Sequence, residues 1–493
     1  MTSPTPVVVI GAGNAAFCAA LSAAESGGPV IVLERAPKEE RGGNTAFVGG
    51  ALRQVYNGLE DVEALVPHLT EDQKANTDFG SYSEADFLSD LAEVTENRCD
   101  PDLSEVLVKR SRETYRWLRS KGLKFDVMYG RQAFNIDGKF TFHGGQAIEV
   151  WGGGMEWSDS LFRVAEQVGI DIRYETRALQ LLADDDGVHG VRVREKGRTH
   201  DIEARAVVLA CGGFQSSAAW RSKYLGPGWD LAHVRGTRFN TGDGLQMALD
   251  VGASPAGHWS GAHAVGWDLN SPEFGDRKVG DGFQKHSYPF GIMVNAAGKR
   301  FLDEGAHFRN YTYAKYGKVV LEQPQQFSWQ IFDSKVTHLL RDEYHIKEIT
   351  KVTANTIPEL AKKLDGVNAE EFLLTVDEFN AAVPEGPAFD PNHLDGRATV
   401  GLRVPKSNWS QRIDSPPFEA YAIGCGITFT FGGLRITTDA EVVSTEGPVI
   451  LGLFAAGELT GGIFYFNYPS GSGLTNGAVF GRIAGANAAA LSW

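Results

Sequence analysis

The chain contains few cysteines: 4 among 493 residues, at Cys18, Cys99, Cys211 and Cys425. No two of them have CxxC spacing, which argues against an iron–sulfur cluster, a zinc site or a covalently attached haem. Scattered single cysteines are typical of proteins in a reducing compartment. We therefore expect a cytoplasmic protein without a metal site.

Long apolar runs and an excess of basic charge are also missing. No run approaches the roughly 20 residues of a membrane helix, and the N-terminal stretch MTSPTPVVVIG lacks the basic region and cleavage site of a signal peptide. The 47 basic and 62 acidic residues give a net charge of −15, which disfavours nucleic-acid binding. An anionic substrate would need a locally basic pocket in such a protein.

Glycine, by contrast, is abundant and clustered. The 58 glycines concentrate at 42–50, 144–154, 212–213, 432–433 and 452–481, a pattern that suggests close approach of the backbone to a ligand. A chain of this length favours two domains, one of which could interrupt the other.

The first glycines lie in a βαβ pattern. The stretch from 7 to 34, VVVIGAGNAAFCAALSAAESGGPVIVLE, predicts a strand Val7–Ile10, a helix Asn14–Ser26 and a strand Val30–Leu33. The turn has the form Gly11-x-Gly13-x-x-Ala16, and Glu34 ends the second strand. A tight turn, a helix N-terminus for pyrophosphate and a carboxylate for a ribose hydroxyl predict a dinucleotide site, for NAD or FAD.

Two further glycine-rich segments favour FAD. RAPKEERGGNTAFVGGALR (35–53) follows the second strand directly, and a plain NAD domain has no such loop there. Near the C-terminus, a predicted strand Leu453–Ala456 leads to Gly457-Glu458 and to a helix near Leu474–Gly485. A helix N-terminus at the flavin pyrimidine edge would stabilise negative charge.

Motifs along the whole chain resemble the fumarate reductase/succinate dehydrogenase flavoprotein superfamily, and within it the FAD-dependent tricarballylate dehydrogenases. The similarity is carried by IGAGNAA, RGGNT, DLAEVTENRCDPDLSEVLVKRSRETYRWLRSKGLKF, LACGGF, NTGDG, KHSYPFGIMVN, GKRFLDEGAHFRNYTYAKYG, GITFTFGGLRITTDAEV and LFAAGELTGG. The resemblance implies an α/β fold: a Rossmann-like FAD-binding domain, with a central parallel sheet and a β-meander, interrupted by an α+β capping domain.

The sequence can be divided in that way. Residues 168–210 predict a β-meander, with turns at DDDG (184–187) and EKGR (195–198), and GDGLQMALDVGA predicts a helix with Asp243 near its start. TIPELAKKLDG and AEEFLLTVDEFNAAV predict cap helices. We expect FAD-binding segments at 1–255 and 411–493 and a capping domain at 256–410.

The motifs also assign FAD contacts. The residues expected to bind the cofactor are Gly11, Gly13, Asn14, Ala15, Ala16, Glu34, Arg35, Gly42, Gly43, Asn44, Thr45, Gly49, Gly50, Ala178, Ala210, Gly212, Thr241, Asp243, Gly457, Glu458, Ser472, Gly473, Leu474 and Thr475. Family members with covalent flavin carry a histidine in the loop at 39–43, which reads EERGG here. We therefore expect non-covalent FAD.

Arg309, in GAHFRNYTYAKYG, stands where fumarate reductases carry their proton-relay arginine, although the spacing here is one residue longer. The resemblance implies that role. Because arginine is almost always protonated, a relay needs a neighbour that takes the proton. A bidentate clamp on a substrate carboxylate is the second reading, and a loop arginine stacked on Tyr311 or Tyr313 is the third.

Two candidates depart from the fumarate reductase pattern. Tyr468, in FNYPSGSG, lies where those enzymes have a substrate-binding arginine, and the sequence around it also resembles ketosteroid dehydrogenases, whose tyrosine polarises a ketone. Thr428, in GITFTFGG, lies near their substrate histidine. The plain structural readings are a buried tyrosine with a satisfied hydroxyl and an ordinary strand threonine.

Two aromatic and histidine-rich loops complete the candidates. GHWSGAH contributes His258 and His263, and KHSYPF contributes His286 and Tyr288. One histidine of each loop is expected to face the substrate, although a lone histidine is more often structural. We assign His258, His286 and Tyr288 to the catalytic site with Arg309, Tyr468 and Thr428.

Three functions remain open. The first is hydride transfer between flavin N5 and a C–C bond next to a carboxylate, of the tricarballylate or fumarate type, with a separate electron acceptor or donor as partner. The second is a ketosteroid-type dehydrogenase or ene-reductase acting on a ring ketone through Tyr468. The third is a non-catalytic flavin electron-transfer subunit, which the polar residues of the cap disfavour.

Overall fold

The computed structural model describes residues 5–143 and 145–491. Residues 1–4, 144 and 492–493 lie outside this range. The first four residues of the stretch that we judged to lack a signal peptide therefore lie outside the described residues. So do the outer ends of the predicted segments 1–255 and 411–493.

A parallel sheet forms the centre of the nucleotide-binding part. Its strands lie in the order Asp171–Arg173, Val30–Leu33, Val7–Ile10, Ala206–Leu209, Val449–Ala455 and Glu441–Val443. The first five run parallel and the last pairs antiparallel. Val7–Ile10 and Val30–Leu33 are buried throughout, as continuous apolar runs in a parallel sheet should be. The predicted Rossmann-like α/β fold is confirmed.

Two helices from opposite ends of the chain pack together against this sheet. They span Asn14–Ala24 and Ser472–Ala490. A Cβ at Gly481 would lie 2.4 Å from the carbonyl oxygen of Ala15, and one at Gly485 would lie 2.0 Å from that of Ala19. The small residues of both helices therefore permit backbone contact, which brings the two ends of the chain to one edge of the sheet.

The predicted meander is confirmed as an antiparallel sheet of Thr176–Asp184, Gly187–Glu195 and Arg198–Glu203, with its turns at the two predicted sites. The flanking strands 171–173 and 206–209 pair into the parallel sheet instead. The meander is therefore a separate sheet of three strands, and the two ends of the predicted segment 168–210 belong to the parallel sheet.

A second large sheet lies in the other part of the core. It has the order His233–Val234, Phe418–Leu434, Ser328–Phe332 and Ile292–Asn295, with Pro255–Asp268 and Lys351–Ala354 also paired to Phe418–Leu434. The predicted cap helices are present at Ile357–Lys363 and Ala369–Ala382, and their apolar faces pack on this sheet around Phe372 and Val376. Two strands of this sheet, 233–234 and 418–434, lie in segments that we assigned to the FAD-binding domain. The division of the chain at 255 and 411 stays a prediction.

The remaining elements connect these layers. The other helices are Gly58–Leu65, Glu71–Ala75, Glu84–Val94, Pro101–Ser120, Tyr129–Gln132, Gly153–Gln167, Ala218–Trp220, Asp243–Asp250 and Tyr313–Leu321. The other strands are Ala51–Leu52, Tyr56–Asn57, Thr77–Asp78, Ser81–Tyr82, Phe125–Val127, Asn135–Ile136, Lys139–Thr141 and Ile148–Val150.

Among residues 5–143 and 145–491, no helix combines the length and the apolar composition needed to cross a bilayer. The same ranges contain no cluster of three or more histidine, cysteine, aspartate or glutamate side chains that could hold a metal ion.

Candidate functional site

One large cavity lies between the parallel sheet and the second sheet. Its volume is about 1820 Å³ including the open mouth, and it is called the main cavity below. Residues at or just after the carboxyl ends of four parallel strands line it: Ile10, Leu33, Ala210 and Ala456. Ligands of doubly wound sheets bind at this edge, so the position fits a nucleotide cofactor.

Two helix N-termini also meet at the main cavity. Gly13 and Asn14 begin one helix, and Gly473 and Leu474 lie in the first turn of the other. The Asn14 side-chain amide donates to the carbonyl of Leu474 at 2.9 Å, which fixes the two helix ends to each other. Because helix N-termini carry partial positive charge, the cavity offers two places for anionic groups.

The turn after the first strand fits the close approach of a ligand. Gly11 has a φ of +108°, and a Cβ there would lie 2.4 Å from the carbonyl oxygen of Ala210. Glu34 is buried, and its carboxylate accepts from the backbone N–H groups of Ala36 at 2.9 Å and Gly42 at 3.3 Å. Burial raises the pKa of Glu34. A buried acceptor in the wall of the cavity suits a ribose hydroxyl, so the residues fit FAD.

One carboxylate and two guanidinium groups line another part of the main cavity. Arg35 donates to Asp243 at 2.9 Å and to the hydroxyl of Thr241 at 2.6 Å, and Arg177 also pairs with Asp243. All four side chains line the main cavity. The adenosine end of a dinucleotide would lie here, beside Glu34.

Most residues assigned to FAD line the main cavity. They are Gly11, Gly13, Asn14, Ala15, Glu34, Arg35, Gly43, Asn44, Thr45, Gly49, Gly50, Ala178, Ala210, Gly212, Thr241, Asp243, Gly457, Glu458, Gly473 and Leu474. Ala16, Gly42, Ser472 and Thr475 do not line it. Ala16 and Thr475 are fully buried within helices, and Thr475 bonds to Tyr115 and to the carbonyl of Arg53.

The glycine-rich loop 43–50 joins the two sheets across the cavity. Thr45 accepts from the backbone N–H of Asn14 at 2.9 Å, and the Asn44 amide donates to the carbonyl of Thr428 at 2.6 Å. A Cβ at Gly49 would lie 2.2 Å from Nη1 of Arg131 and 2.6 Å from Oδ2 of Asp281. Only glycine fits there, because an ion pair packs directly against the loop.

That ion pair belongs to a cluster in the part of the cavity beyond the loop. Asp281 accepts from Arg131 at 2.8 Å and from Nε of Arg235 at 2.7 Å. Arg235 also donates to the hydroxyl of Thr428 at 3.2 Å. The sequence did not single out Arg131, Arg235 or Asp281, because none of them belongs to a recognisable motif. Only the fold brings the three together.

Arg309 lines the same part of the cavity and begins a short 3-10 turn, Arg309–Tyr311. Its Nη2 donates to the carbonyl of Arg131, and its Nε is buried without a partner among the described residues. Burial lowers the pKa of the Arg309 guanidinium and Arg131 lowers it further, whereas Glu343 raises it. The guanidinium therefore retains donors for a ligand.

Two buried histidines face the main cavity near Arg309. His263 is 1% exposed and His286 is 2% exposed, and neither ring has a hydrogen-bond partner among the described residues. Burial lowers the pKa of both well below the usual value, and for His286 the positive charge of Arg309 adds to this effect. Both imidazoles are neutral at physiological pH. Each offers one donor and one acceptor, and a bound molecule could satisfy them.

A pair of tyrosines completes the wall. The hydroxyls of Tyr313 and Tyr468 are hydrogen-bonded to each other, and the Tyr468 ring lies 4.7 Å from that of His263 and 5.1 Å from that of Phe429. Burial raises the pKa of Tyr468 well above its usual value, and the neighbouring Tyr313 contributes to this. The hydroxyl of Tyr468 stays protonated and can donate.

Four of the six predicted catalytic residues therefore line the main cavity: Arg309, Tyr468, His286 and Thr428. Tyr288 lies behind the wall, where its hydroxyl bonds to that of Thr312 at 2.6 Å. His258 also lies outside. A register shift between the pairs His258–Phe431 and Ala262–Thr430 separates it from His263 on the same strand. Its Nδ1 accepts from the backbone N–H of Phe466 instead.

The chain was compared with known families, sequences and structures. The family model of the FAD binding domain matches residues 6–474. The "Probable fumarate reductase Ifc3" of Shewanella frigidimarina (strain NCIMB 400) is 32% identical over 495 residues, which cover 98% of this chain and 75% of that protein.

Two solved structures are similar over nearly the whole chain. The open conformation of a flavocytochrome c3 fumarate reductase is 28% identical, with a TM-score of 0.74 over 99% of this chain and 78% of that one. The 3-ketosteroid-Δ4-(5α)-dehydrogenase of Rhodococcus jostii RHA1, in complex with 4-androstene-3,17-dione, is 25% identical, with a TM-score of 0.70 over 98% of this chain and 96% of that one.

Proposed function

Since the chain belongs to the FAD binding domain family, within the fumarate reductase/succinate dehydrogenase flavoproteins, we propose that it interconverts a C–C single bond and a C=C bond next to a carboxylate. It is an FAD-dependent oxidoreductase of CH–CH groups. When bound, FAD supplies or accepts the hydride. We also propose a substrate, roles for individual residues and the way in which the cofactor is attached.

Local positive charge in an acidic protein carries this proposal. Four guanidinium groups lie near three carboxylates: Arg131, Arg235, Arg309 and Arg341 near Asp281, Glu343 and Glu149. The cluster therefore has an excess of positive charge, although the whole chain has a net charge of −15. Such a site can attract and hold a carboxylate that the overall field would repel.

Arg309 is the proposed proton relay. Its unpartnered Nε and its position in the cavity wall let it contact a substrate carbon or carboxylate. Burial and the neighbouring Arg131 both favour release of a proton from this guanidinium more than water would. The nearby carboxylate of Glu343 raises the pKa of Arg309 and so opposes this release. We propose that Glu343 exchanges the proton with Arg309.

Neutral groups are proposed to line the part of the substrate site away from the arginine cluster. His263, His286 and the Tyr313–Tyr468 pair surround the same space and offer donors without charge. Thr428 is held by Arg235 and is proposed to orient that guanidinium. A tricarballylate-type substrate is the specific case that we propose first, with a separate electron acceptor or donor.

FAD is proposed to be bound without a covalent link. The segment 38–47 contains no histidine, and its glycines at 42 and 43 adopt positive φ values in a short turn. Precipitation of the protein with acid should therefore release all of the yellow colour into the supernatant. A yellow pellet would contradict this part of the proposal.

The decisive experiment is the visible spectrum of the purified holoprotein under anaerobic conditions, before and after addition of tricarballylate. Bleaching of the flavin band is the expected result. The reverse experiment adds fumarate to the dithionite-reduced protein after excess reductant is removed, and the band should return. If neither acid changes the spectrum in either direction, the proposed carboxylate substrate is wrong.

A ring ketone is the second candidate, favoured by the Tyr313–Tyr468 hydroxyl pair. The similarity to a steroid dehydrogenase over 96% of that chain supports the same candidate. Bleaching by a saturated ring ketone, with no response to any acid, would favour it over the carboxylate proposal.

A further inference from the structure

A second, much smaller cavity lies behind the wall of the main cavity. Its volume is about 440 Å³ including its mouth, against about 1820 Å³ for the main cavity. The two cavities share His286 and Arg309, whereas Arg341 and Asn310 line the second cavity alone. Whatever Arg341 and Asn310 hold in a cavity is therefore held outside the space proposed for FAD and substrate.

Two buried guanidinium groups lie side by side at this cavity. Nη1 of Arg341 donates to the carbonyl of Gly130 at 3.0 Å, and Nη2 of Arg309 donates to the carbonyl of the next residue, Arg131. Because adjacent carbonyls hold the two side chains, two like charges lie close together. Burial lowers the pKa of the Arg341 guanidinium well below its usual value, and the charge of Arg309 lowers it further. A negative charge between them would stabilise both.

The carboxylates of the protein do not balance these charges. Arg309 and Arg341 form no ion pair within the part of the chain that the structure describes, although Glu343 is near enough to raise the pKa of both. In the whole cluster, four guanidinium groups lie near three carboxylates. Buried charges in proteins are normally paired. The excess of one positive charge therefore favours a ligand with one negative charge.

A buried donor in the wall of the second cavity also needs an acceptor. Asn310 is 2% exposed, and its side-chain nitrogen has no hydrogen-bond partner among the described residues. An amide N–H group can only donate, and buried donors in folded proteins normally have a partner. Nε2 of His143, in the same wall, is buried without a partner as well. The polar groups of the cavity therefore suit a ligand that accepts hydrogen bonds.

Aromatic rings limit the size of such a ligand. The guanidinium carbon of Arg341 lies 4.8 Å from the centroid of the Phe134 ring. His143 stacks on Phe308 at 5.2 Å, and Phe308 lies 5.6 Å from Trp409. The faces of these rings are already covered, so little room is left between them. Their hydrogen-bearing edges carry partial positive charge, and the low polarity of the surroundings strengthens attraction between charges. The walls fit a small anion.

We propose that the second cavity binds one small monovalent inorganic anion, of the size of chloride or bromide. Arg341 and Asn310 hold it by hydrogen bonds, and the positive charge of Arg309 attracts it from the side of the main cavity. Nε of Arg309 remains available to the proposed substrate. The anion site does not depend on the proposed reaction, so it can be tested without turnover.

Bromide locates the anion by X-ray diffraction. Crystals of the FAD-saturated protein are grown with bromide in place of chloride, and the anomalous difference density is measured. A bromide peak should lie within hydrogen-bonding distance of Arg341 and Asn310. It should persist when fumarate is added, because fumarate is proposed to bind in the main cavity. The absence of a peak from the second cavity, or its loss with fumarate, would overturn the proposal.

Thermal unfolding shows whether the anion binds in solution as well as at crystal concentration. Chloride replaces gluconate stepwise at constant ionic strength, with the protein saturated with FAD. The midpoint of unfolding should rise by about 1–3 °C and then level off, as expected when a ligand binds only the folded state. A midpoint that does not change, or one that rises without levelling off as in a general salt effect, would contradict the proposal.

Variants assign this stabilisation to the second cavity. Arg341→Met removes the charge, and Asn310→Leu removes one donor with little change in volume. Each should weaken chloride binding by about tenfold or more, and Asn310→Leu serves if Arg341→Met does not fold. Arg412→Met is the matched control, since Arg412 is exposed and lines neither cavity. If Asn310→Leu and the control respond to chloride equally, the proposal is wrong.

This proposal and the proposed function fail in different ways. If bromide occupies the second cavity but no acid reacts with the flavin, the proposed function is wrong and the anion site stands. If acids react and neither bromide density nor a chloride effect is found, only the anion site is wrong.

Discussion

Arg53 donates from Nε to the carbonyl of Ser470 at 2.8 Å, although the two residues are 417 positions apart. Arg53 is fully buried, and its Nη1 bonds to Asp90 at 2.8 Å. Asp90 in turn accepts from the hydroxyl of Tyr311 at 2.9 Å. One guanidinium therefore holds both the loop after Tyr468 and the turn that begins at Arg309.

The first prediction concerns this buried arginine. Arg53→Met should lower the free energy of unfolding by about 3–5 kcal/mol, because it leaves a carboxylate without its partner. Urea titration of the FAD-saturated protein measures the free energy of unfolding. Arg110→Met is the matched control: Arg110 pairs with Glu113 on the surface and should cost less than about 1 kcal/mol. Equal effects of the two substitutions would show that Arg53 is not a structural link.

The second prediction concerns Arg309. Arg309→Ala should abolish turnover while the protein keeps its yellow FAD, because the side chain lines the part of the main cavity that we propose for the substrate. His258→Gln is the control, since His258 lies outside the cavity, and it should leave turnover within about twofold. Turnover of Arg309→Ala within about tenfold of the original, near 1.4 kcal/mol, would rule out the relay.

A second variant, Arg309→Lys, separates the two functional readings of Arg309. Loss of a relay lowers kcat, whereas loss of a carboxylate clamp chiefly raises KM. Saturation kinetics of Arg309→Lys, which keeps the charge but not the planar fork, distinguish them. A large rise in KM with little change in kcat would favour the clamp.

The third prediction concerns the Tyr313–Tyr468 pair. Tyr468→Phe and Tyr313→Phe should each lower kcat/KM by about tenfold, the effect of one hydrogen bond. Because the two hydroxyls share a bond, the double variant should be little worse than either single one. Tyr465→Phe, which changes a tyrosine outside the main cavity, serves as the control. If the fold loss of kcat/KM in the double variant equals the product of the two single losses, the hydroxyls of Tyr313 and Tyr468 act independently and the prediction is wrong.

The fourth prediction concerns pH and Glu149. Burial raises the pKa of Glu149 from 4.5 to about 7, although Arg131 opposes the shift. Between these pH values the folded state holds a proton that the unfolded state releases. Stability from this group is therefore present below about pH 4.5 and is lost as the pH rises to about 7.

Glu149→Gln should remove the loss of stability that ionisation of Glu149 causes as the pH rises. Relative to the original protein, the variant should gain about 2 kcal/mol between pH 5 and pH 8, after allowance for partial exposure. Urea midpoints of both proteins at the two pH values provide the measurement. Burial also raises the pKa of Glu458 to about 7, but that group is common to both proteins and cancels in the difference. If the difference in stability between the variant and the original protein is the same at both pH values, the prediction is wrong.

The nucleotide half of the site could be predicted from sequence because it depends on local spacing. The strand Val7–Ile10, the turn at Gly11 and the acid Glu34 lie within 28 residues, and the physics of a βαβ unit fixes their relation. The first helix ends at Ala24, two residues before its predicted end, whereas the C-terminal helix, predicted near Leu474–Gly485, spans Ser472–Ala490. The second glycine-rich loop and the C-terminal helix were placed at the cofactor from their glycines and their position after predicted strands, and the structure brings most of their assigned residues to one cavity.

The substrate half depends on long-range packing, and only the tertiary structure decides it. Arg131, Arg235 and Asp281 come from three separate segments of the chain, and nothing in their neighbours indicates that one carboxylate joins two guanidinium groups. His258 and His263 look equivalent in the sequence, but a register shift places only His263 in the cavity. Local sequence determines which elements form. Strand register and sheet packing determine which side chains meet, because those contacts join residues far apart in the chain.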